Sequence, residues 1–286
     1  QFHWFKSRSF YLDYSLYNDK QKAVKALYAG SKWSGEELRR NVTDAAHKLS
    51  LMNRDSVKVP RGEYRVYLAP SAVNELLGTL SWGGVSMSAH QQGNGSLKDL
   101  WQNKKQMSPK FTLSEDFSLG LSPRFNDAGE VSAEQMNLIE KGQFKNFLIS
   151  TRTANEYKLT SNFAVDWEVI RSPKVDTGDL ERTDIYKAIG TGLYVSDLHY
   201  LNWSDRETAR ITGMTRYACF WVENGEIVGP IEDLRFDESY YSIFGDALEA
   251  VTNFSEVTPA TGSYFQRDVG GSLAPGLLLS KFKFTL

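Results

Sequence analysis

Polar and apolar residues alternate most clearly near the start of the chain. Phe10, Leu12, Tyr14 and Leu16 face one way and Ser9, Tyr11, Asp13 and Ser15 the other, so residues 5–17 predict a half-buried strand. Residues 20–30, with Ala23, Val24, Ala26, Leu27 and Tyr28 before Gly30, fit either a second strand or a short helix. The period then changes. Leu38, Val42, Ala45, Ala46, Leu49 and Met52 recur at helical spacing behind Ser34 and Glu37, which fit a capping box. Tyr64–Leu68 predicts a short strand. Pro70 opens a helix whose apolar face is Val73, Leu76, Leu77 and Leu80, and Gly83-Gly84 breaks it.

Downstream the pattern is more broken. Ala89–Ser96, polar and glycine-containing, predicts an exposed loop, and Ser96 with Asp99 predicts a helix start running through Leu100 and Trp101. A strand is expected within Phe111–Leu121, turns over 122–134, and a strand over Phe144, Phe147, Leu148 and Ile149. Ser150 or Thr151 starts a short helix through Tyr157, and residues 160–184 predict loop and strand around a Thr177-Gly178-Asp179 turn. Leu193, Val195, Leu198 and Tyr200 suggest a strand entered at Gly190 and Gly192. Asn224-Gly225, between the apolar runs Tyr217–Val222 and Ile227–Val228, predicts a two-residue hairpin, because both residues tolerate positive φ. Pro230 limits the second arm. Asp237 is the expected cap of a four-turn helix carrying Tyr240, Tyr241, Phe244, Leu248, Val251 and Phe254. Ser263–Val269 and Leu277–Phe284 are expected strands. Many strands on short turns with four or five helices give an α+β class with mostly antiparallel pairing. One domain over residues 1–286 is the simplest organisation.

Composition narrows function by exclusion. A net charge of −2 with scattered lysines and arginines gives no polyanion footprint, so nucleic acid is not an expected partner. The single cysteine, Cys219, excludes an internal disulfide and agrees with a reducing, cytoplasmic setting; its expected role is a small buried thiol. No apolar run is long enough to span a bilayer, so no membrane association is expected. The first residues are not a signal peptide, and without an initiator Met the chain is expected to be a processed product or a cut fragment.

Catalytic signatures are missing from the sequence. There is no G-x-S-x-G elbow, Walker loop or dinucleotide fingerprint. The histidines His3, His47, His90 and His199 never fall at metal-binding helical spacings. Glu115-Asp116 and Glu232-Asp233 are adjacent, would point to opposite faces of a strand, and are expected to be solvated. Binding candidates are His199, Tyr200, Asn202 and Trp203, a dense polar-aromatic cluster, with His90 in its glycine-containing loop and Arg210, which with Arg206 and Arg216 could line a surface. Each also has a plainer reading, as a packed anchor, an exposed loop residue or a solvated cation. Trp82 is expected to pack in a core or interface.

The order of motifs resembles the C-terminal region of the TldD/PmbA family, known for DNA-gyrase modulation and peptidase U62-like activity. RSFYLDYSLY and KAVKALYAG resemble its strand pair, GEYRVYLAPSAVNELLGTLSW its helix entry, and ISTRTANEYKLTSN its central element. GLYVSDLHYLN, then TG, then FWVENGEIVGPIEDLRF, resemble its most recognisable block. In the TldD branch the resemblance implies a zinc peptidase with His-Glu-x-x-x-His on a helix and a metal-binding Cys near the C-terminus. The corresponding stretches here, APSAVNELLGTL and SYFQRDVGGSLAPGLLL, hold Glu75 but neither histidine nor cysteine. The resemblance therefore points to the PmbA (TldE) branch. It implies a subunit with no catalytic residue, metal ligand or cofactor of its own, which acts in peptide proteolysis or maturation. Its implied partner is a TldD-like metallopeptidase carrying the zinc, in a heterodimer, or a second copy in a homodimer, with unfolded or extended peptides as substrates. The family's further N-terminal domain is expected to be missing. A stand-alone hydrolase using His90 or His199, and a binding module linked to DNA gyrase, are the alternatives.

Overall fold

The computed structural model describes residues 2–264 and 268–285. In chain order it forms β1 (Phe10–Tyr17), β2 (Ala23–Gly30), α1 (Gly35–Leu51), β3 (Gly62–Leu68), α2 (Pro70–Leu80), α3 (Met87–Gln91) and α4 (Lys98–Trp101). β4 (Leu113–Asp116), β5 (Gln135–Glu140), β6 (Gln143–Phe144), α5 (Thr151–Tyr157), β7 (Pro173–Val175) and α6 (Ile185–Ile189) follow. The C-terminal part is strand-rich: β8 (Gly192–Val195), β9 (Asp197–Asp205), β10 (Arg210–Arg216), β11 (Phe220–Glu223), β12 (Glu226–Pro230), β13 (Arg235–Ser239), β14 (Leu248–Pro259) and β15 (Gly271–Phe284). The class is α+β, as the sequence pattern indicates. Its helices exceed the expected four or five, because α3 and α6 are single turns too brief to show a period.

β1 and β2 pair as a separate hairpin, and the other thirteen strands share one sheet. β15 is its spine, bonded along its length to β14, β3, β13 and β7. Pairing is antiparallel except at β3–β8 and β7–β15. Period-2 alternation then assigns two faces. Val66, Leu68, Leu193, Val195, Leu277 and Leu279 join a core capped by Ala72, Val73, Leu76, Leu77 and Leu80 of α2. Their neighbours Tyr67, Tyr194 and Leu278 point the other way, onto Val24 of β2 and Ala45 and Leu51 of α1. Both faces are therefore covered. Tyr240 ties α2 in place by donating from its hydroxyl to the Leu76 carbonyl at 2.7 Å.

Local signals hold where they are self-contained. Ser34 caps α1, its Oγ accepting from the Glu37 N–H at 3.2 Å, and Ser150 caps α5 in the same way through Thr153. Residues 23–30 are a strand. At the β11–β12 turn Asn224 and Gly225 take φ of +53° and +80°. Gly225→Val is expected to cost about 1–2 kcal/mol in urea unfolding, since a β-branched residue resists that conformation and its Cβ would also meet Lys187 Cα at 3.3 Å.

Five expectations fail in whole or in part. The helix expected over 240–254 is a strand end, a single π turn at Ser242–Asp246 and the long strand β14. Tyr240, Tyr241, Phe244, Leu248 and Val251 are all buried, and apolar residues buried in unrelated ways imitate a helical stripe. Ala89–Ser96 is the expected exposed loop only in part: α3 occupies its start, residues 91–94 are exposed, and Ser96 is fully buried. Ser96 does not cap α4; Leu97 holds that position without a side-chain bond. Of the strand expected at 144–149, only Gln143–Phe144 forms, followed by a lone bridge from Leu148 to Ser86. Of Ser263–Val269, residues 265–267 lie outside the described residues, and the rest is not strand.

Candidate functional site

α2 is apolar on three sides and polar on one strip. Asn74, Gly78 and Ser81 stand at i, i+4 and i+7, so they share a face. That face forms one wall of a cleft of about 540 Å³, within the range of small-molecule and peptide sites. The 122–127 turn, Val165, Ile170 and Arg171, and Pro259, Ala260, Asp268 and Val269 complete it.

Each wall is held by its own bonds. Asn126 knots the turn: its Oδ1 accepts from the N–H groups of Ala128 and Glu130 at 3.1 and 3.0 Å, and its Nδ2 donates to Glu130 Oε2 at 2.8 Å. The Arg171 guanidinium donates to the carbonyls of Pro123 and Phe125 at 3.0 and 2.9 Å and lies over the Phe117 ring. Burial lowers its pKa, and Glu115 and Asp127 oppose that shift. Ser81 Oγ accepts from the Ile170 N–H at 2.8 Å, tying the helix to the opposite wall. Ser272, at the start of β15, donates to Asn74 Oδ1 across the cleft.

Several polar groups here are unspent. The Asn74 carboxamide N–H groups bond no other described residue. Ser122 is 3% exposed and lines the cleft. Gly78 leaves the helix backbone bare: a Cβ there would meet nothing within 4 Å. Packing thus does not require glycine at a helix-interior position where it costs about 1 kcal/mol relative to alanine. Asp127 and Asp268 contribute the negative charge of the lining, and Arg171, its cation, is occupied.

The residues singled out in the sequence do not gather in this cleft. His90 sits on α3 in an aromatic group, 4.3 Å from the Trp101 ring and 5.0 Å from Phe147, where burial and Lys98 lower its pKa. His199, Tyr200, Asn202 and Trp203 lie on β9, which pairs only with β10. Tyr200 takes φ of +54° and the β9–β10 register shifts twice, so this edge is a poor template for another strand. Trp203 packs 5.3 Å from Tyr240, and Arg206 covers its ring. Arg210 is paired with Asp237, Nε to Oδ1 2.7 Å. Trp82, expected in a core or interface, is 53% exposed. Cys219 is buried, its thiol pushed up to about 12 by burial. Glu75 does not line the cleft; partial burial and Asp197 raise its pKa.

Glu115 and Asp116 correct the sequence reading most sharply. They do point to opposite faces of β4, but both faces are covered, and they are 4% and 1% exposed. Glu115 accepts from the N–H groups of Arg171 and Ser172 at 2.9 and 2.5 Å, and Asp116 meets Lys174 at 3.0 Å. Glu232 and Asp233 are exposed, as expected.

Residues 61–286 match the model of the PmbA/TldA metallopeptidase C-terminal domain. The chain belongs to this TldD/PmbA family. Its fold is similar to TldE from Thermococcus kodakarensis, with a TM-score of 0.75 and 18% identity over 97% of this chain and 62% of that one. It is equally similar to a protein described as a candidate modulator of a DNA gyrase from Thermotoga maritima MSB8, with a TM-score of 0.75, 17% identity and the same coverage. A counterpart from Bacteroides thetaiotaomicron VPI-5482, described likewise, gives 0.71 and 18% over 97% and 59%. This chain thus spans about three fifths of each. No curated protein matches it. No helix among the described residues is long and apolar enough to cross a membrane.

A metallopeptidase family implies a metal, and the donor set can be tested against it. The cleft's helix strip offers an amide, a bare backbone and a hydroxyl, and the facing segments offer Ser272 and two carboxylates, Asp127 and Asp268, with no imidazole or thiolate beside them. These are poor zinc ligands beside imidazole or thiolate. Among the described residues no three His, Cys, Asp or Glu side chains are grouped to hold a metal ion. These residues do not fit zinc, and no catalytic step is routed through it.

Proposed function

We propose that this chain is a TldE/PmbA-like subunit that pairs with a TldD-like zinc metallopeptidase and takes part in cytoplasmic peptide proteolysis or maturation without chemistry of its own. One observation carries the reading. The two stretches in which the resemblance places the TldD metal ligands contribute α2 and the start of β15, and these meet through Asn74 and Ser272. At those two positions this chain carries the neutral side chains Asn74 and Ser272, which supports a subunit without a metal of its own. One subunit would supply metal and general base, and this one would complete the chamber that admits extended chains.

Co-purification with a His-Glu-x-x-x-His paralogue from the same genome tests this. The expected result is a stoichiometric complex that cleaves unstructured peptides faster than the paralogue alone, while the pure chain carries no stoichiometric zinc. A chain that stays apart, beside a paralogue already at full rate, overturns it. Cleavage by the pure chain, abolished by His199→Ala, would support a stand-alone hydrolase instead.

A further inference from the structure

We propose that Asn94 is a site of spontaneous covalent modification in the folded chain. Its carboxamide is lost to a succinimide that opens to isoaspartate and aspartate, while Asn224, in the same dipeptide, is held unreactive. The inference is independent of the subunit reading above. It comes from one residue pair placed in two unlike backbones.

Asn-Gly occurs twice, at Asn94-Gly95 and at Asn224-Gly225. In this pair the glycine nitrogen can attack the asparagine Cγ, because no side chain on glycine shields the approach. A bond forms from the glycine nitrogen to Cγ, and the bond from Cγ to the carboxamide nitrogen breaks. The glycine N–H proton leaves with that nitrogen as ammonia, and a cyclic succinimide remains. Water then opens the ring. Cleavage at the asparagine main-chain carbonyl gives isoaspartate, and cleavage at Cγ gives aspartate. Water is the only co-reactant. The first step needs a glycine nitrogen without a competing hydrogen bond and a side chain free to swing onto it.

Exposure does not separate the two sites, since both asparagines are exposed and both glycines half-buried. The hydrogen bonds do separate them. The Gly225 N–H donates to the Gly190 carbonyl at 2.8 Å, and the Asn224 N–H to Thr191 Oγ1 at 3.4 Å. This turn closes β11 on β12, and β11 is paired on its other side with β8. Attack at Asn224 therefore waits for the turn to leave Gly190, a local opening of the sheet end. Gly95 lies in neither helix nor strand, and its N–H donates to no described residue, so it is left to water. The Asn94 carboxamide likewise bonds no described residue. What fixes this loop lies just before it. The Gly93 N–H donates to the His90 carbonyl at 3.1 Å and the Asn94 N–H to the Ala89 carbonyl at 2.8 Å. Asn94 is thus anchored through its own amide, while its side chain and the next nitrogen are both available on the surface between α3 and α4.

Two incubations of the pure chain test this, one folded and one in urea, in mildly alkaline buffer that favours loss of the glycine proton. Peptide mapping by mass spectrometry follows each site, and carboxyl methylation by an isoaspartyl methyltransferase counts isoaspartate. In the folded chain Asn94 is expected to convert at least about tenfold faster than Asn224, and in urea the two rates are expected to agree within about threefold. Asn94→Gln, a change at an exposed loop position, is expected to abolish the isoaspartate signal of the folded chain. Amide hydrogen exchange reads the cause directly, with the Gly95 N–H expected to exchange faster than that of Gly225. The proposal is overturned if Asn224 converts as fast as Asn94 in the folded chain, or if Asn94 stays intact there while it converts in urea. An isoaspartate signal that survives Asn94→Gln, or a Gly95 amide as protected as that of Gly225, also overturns it.

Discussion

Glu168→Ala is expected to destabilise the fold by about 3 kcal/mol or more, the largest single-residue effect outside the apolar core. The Glu168 carboxylate is fully buried and joins three separate segments. One oxygen accepts from Ser86 Oγ and the Ser88 N–H, both at 2.7 Å, and the other from the Ser150 N–H at 2.9 Å. Ser86 and Ser150 are themselves the N-caps of α3 and α5. Truncation would leave two N–H groups and a hydroxyl buried without acceptors, and a cavity besides. The damage would reach the cleft, because Val165 and Ile170 flank Glu168 and line it. Glu168→Gln keeps the volume but presents an amide N–H₂ to groups that are all donors toward it, so an intermediate loss is expected. Urea unfolding measures both. A change below about 1 kcal/mol for the alanine variant would refute the role given to this residue.

Glu115→Gln is expected to remove a pH dependence instead. Burial pushes the Glu115 carboxyl up to about 7, against the downward pull of the Ser172 N–H, the nearby Arg171 guanidinium and the Arg171 N–H. The folded pKa thus lies above the unfolded value of about 4.3. The folded state therefore holds the proton more tightly. Its stabilising contribution is complete below about pH 4, declines as pH rises, and is gone above about pH 7. The interval corresponds to about 4 kcal/mol. Other carboxyls raised by burial, including Asp197 and Glu238, titrate in the same direction. The difference between wild type and Glu115→Gln isolates the one group. Urea unfolding from pH 4 to pH 8 is expected to show wild type losing stability relative to the variant as pH rises. Parallel curves would contradict the assignment. Because Arg171 also lines the cleft, a matching pH dependence in peptide binding is a natural companion measurement.

Legibility followed the range over which each feature is decided. Ser34 and its helix need only neighbours a few residues away, and so does the Asn224-Gly225 turn; both were readable. The apolar face of α2 was also readable, because Val73, Leu76, Leu77 and Leu80 recur at helical spacing and all enter the core. Tyr240–Phe254 was not, since β14 exists by pairing with β15, and no local period distinguishes a strand buried on both sides from a helix. Glu115 and Asp116 were misplaced for a related reason. Alternation says that they face opposite ways, but not that both faces are covered. His90, His199 and their neighbours drew attention as chemically rich residues, and the fold spends them on packing and on an irregular sheet edge.

What the sequence determined by itself was the class of elements, the family through the order of its motifs, and the lack of histidine and cysteine in the two stretches where the resemblance implies metal ligands. These depend on residue identity and short spacing. The tertiary structure alone decided that α2, the 122–127 turn, residues 165–171 and the start of β15 converge on one cleft, and that Gly78 and Ser122 line it. The physical reason is that convergence is set by which strands pair with β15 and by which sheet face each helix covers. Those choices are made by the sum of many buried contacts across the chain, and no single stretch records them.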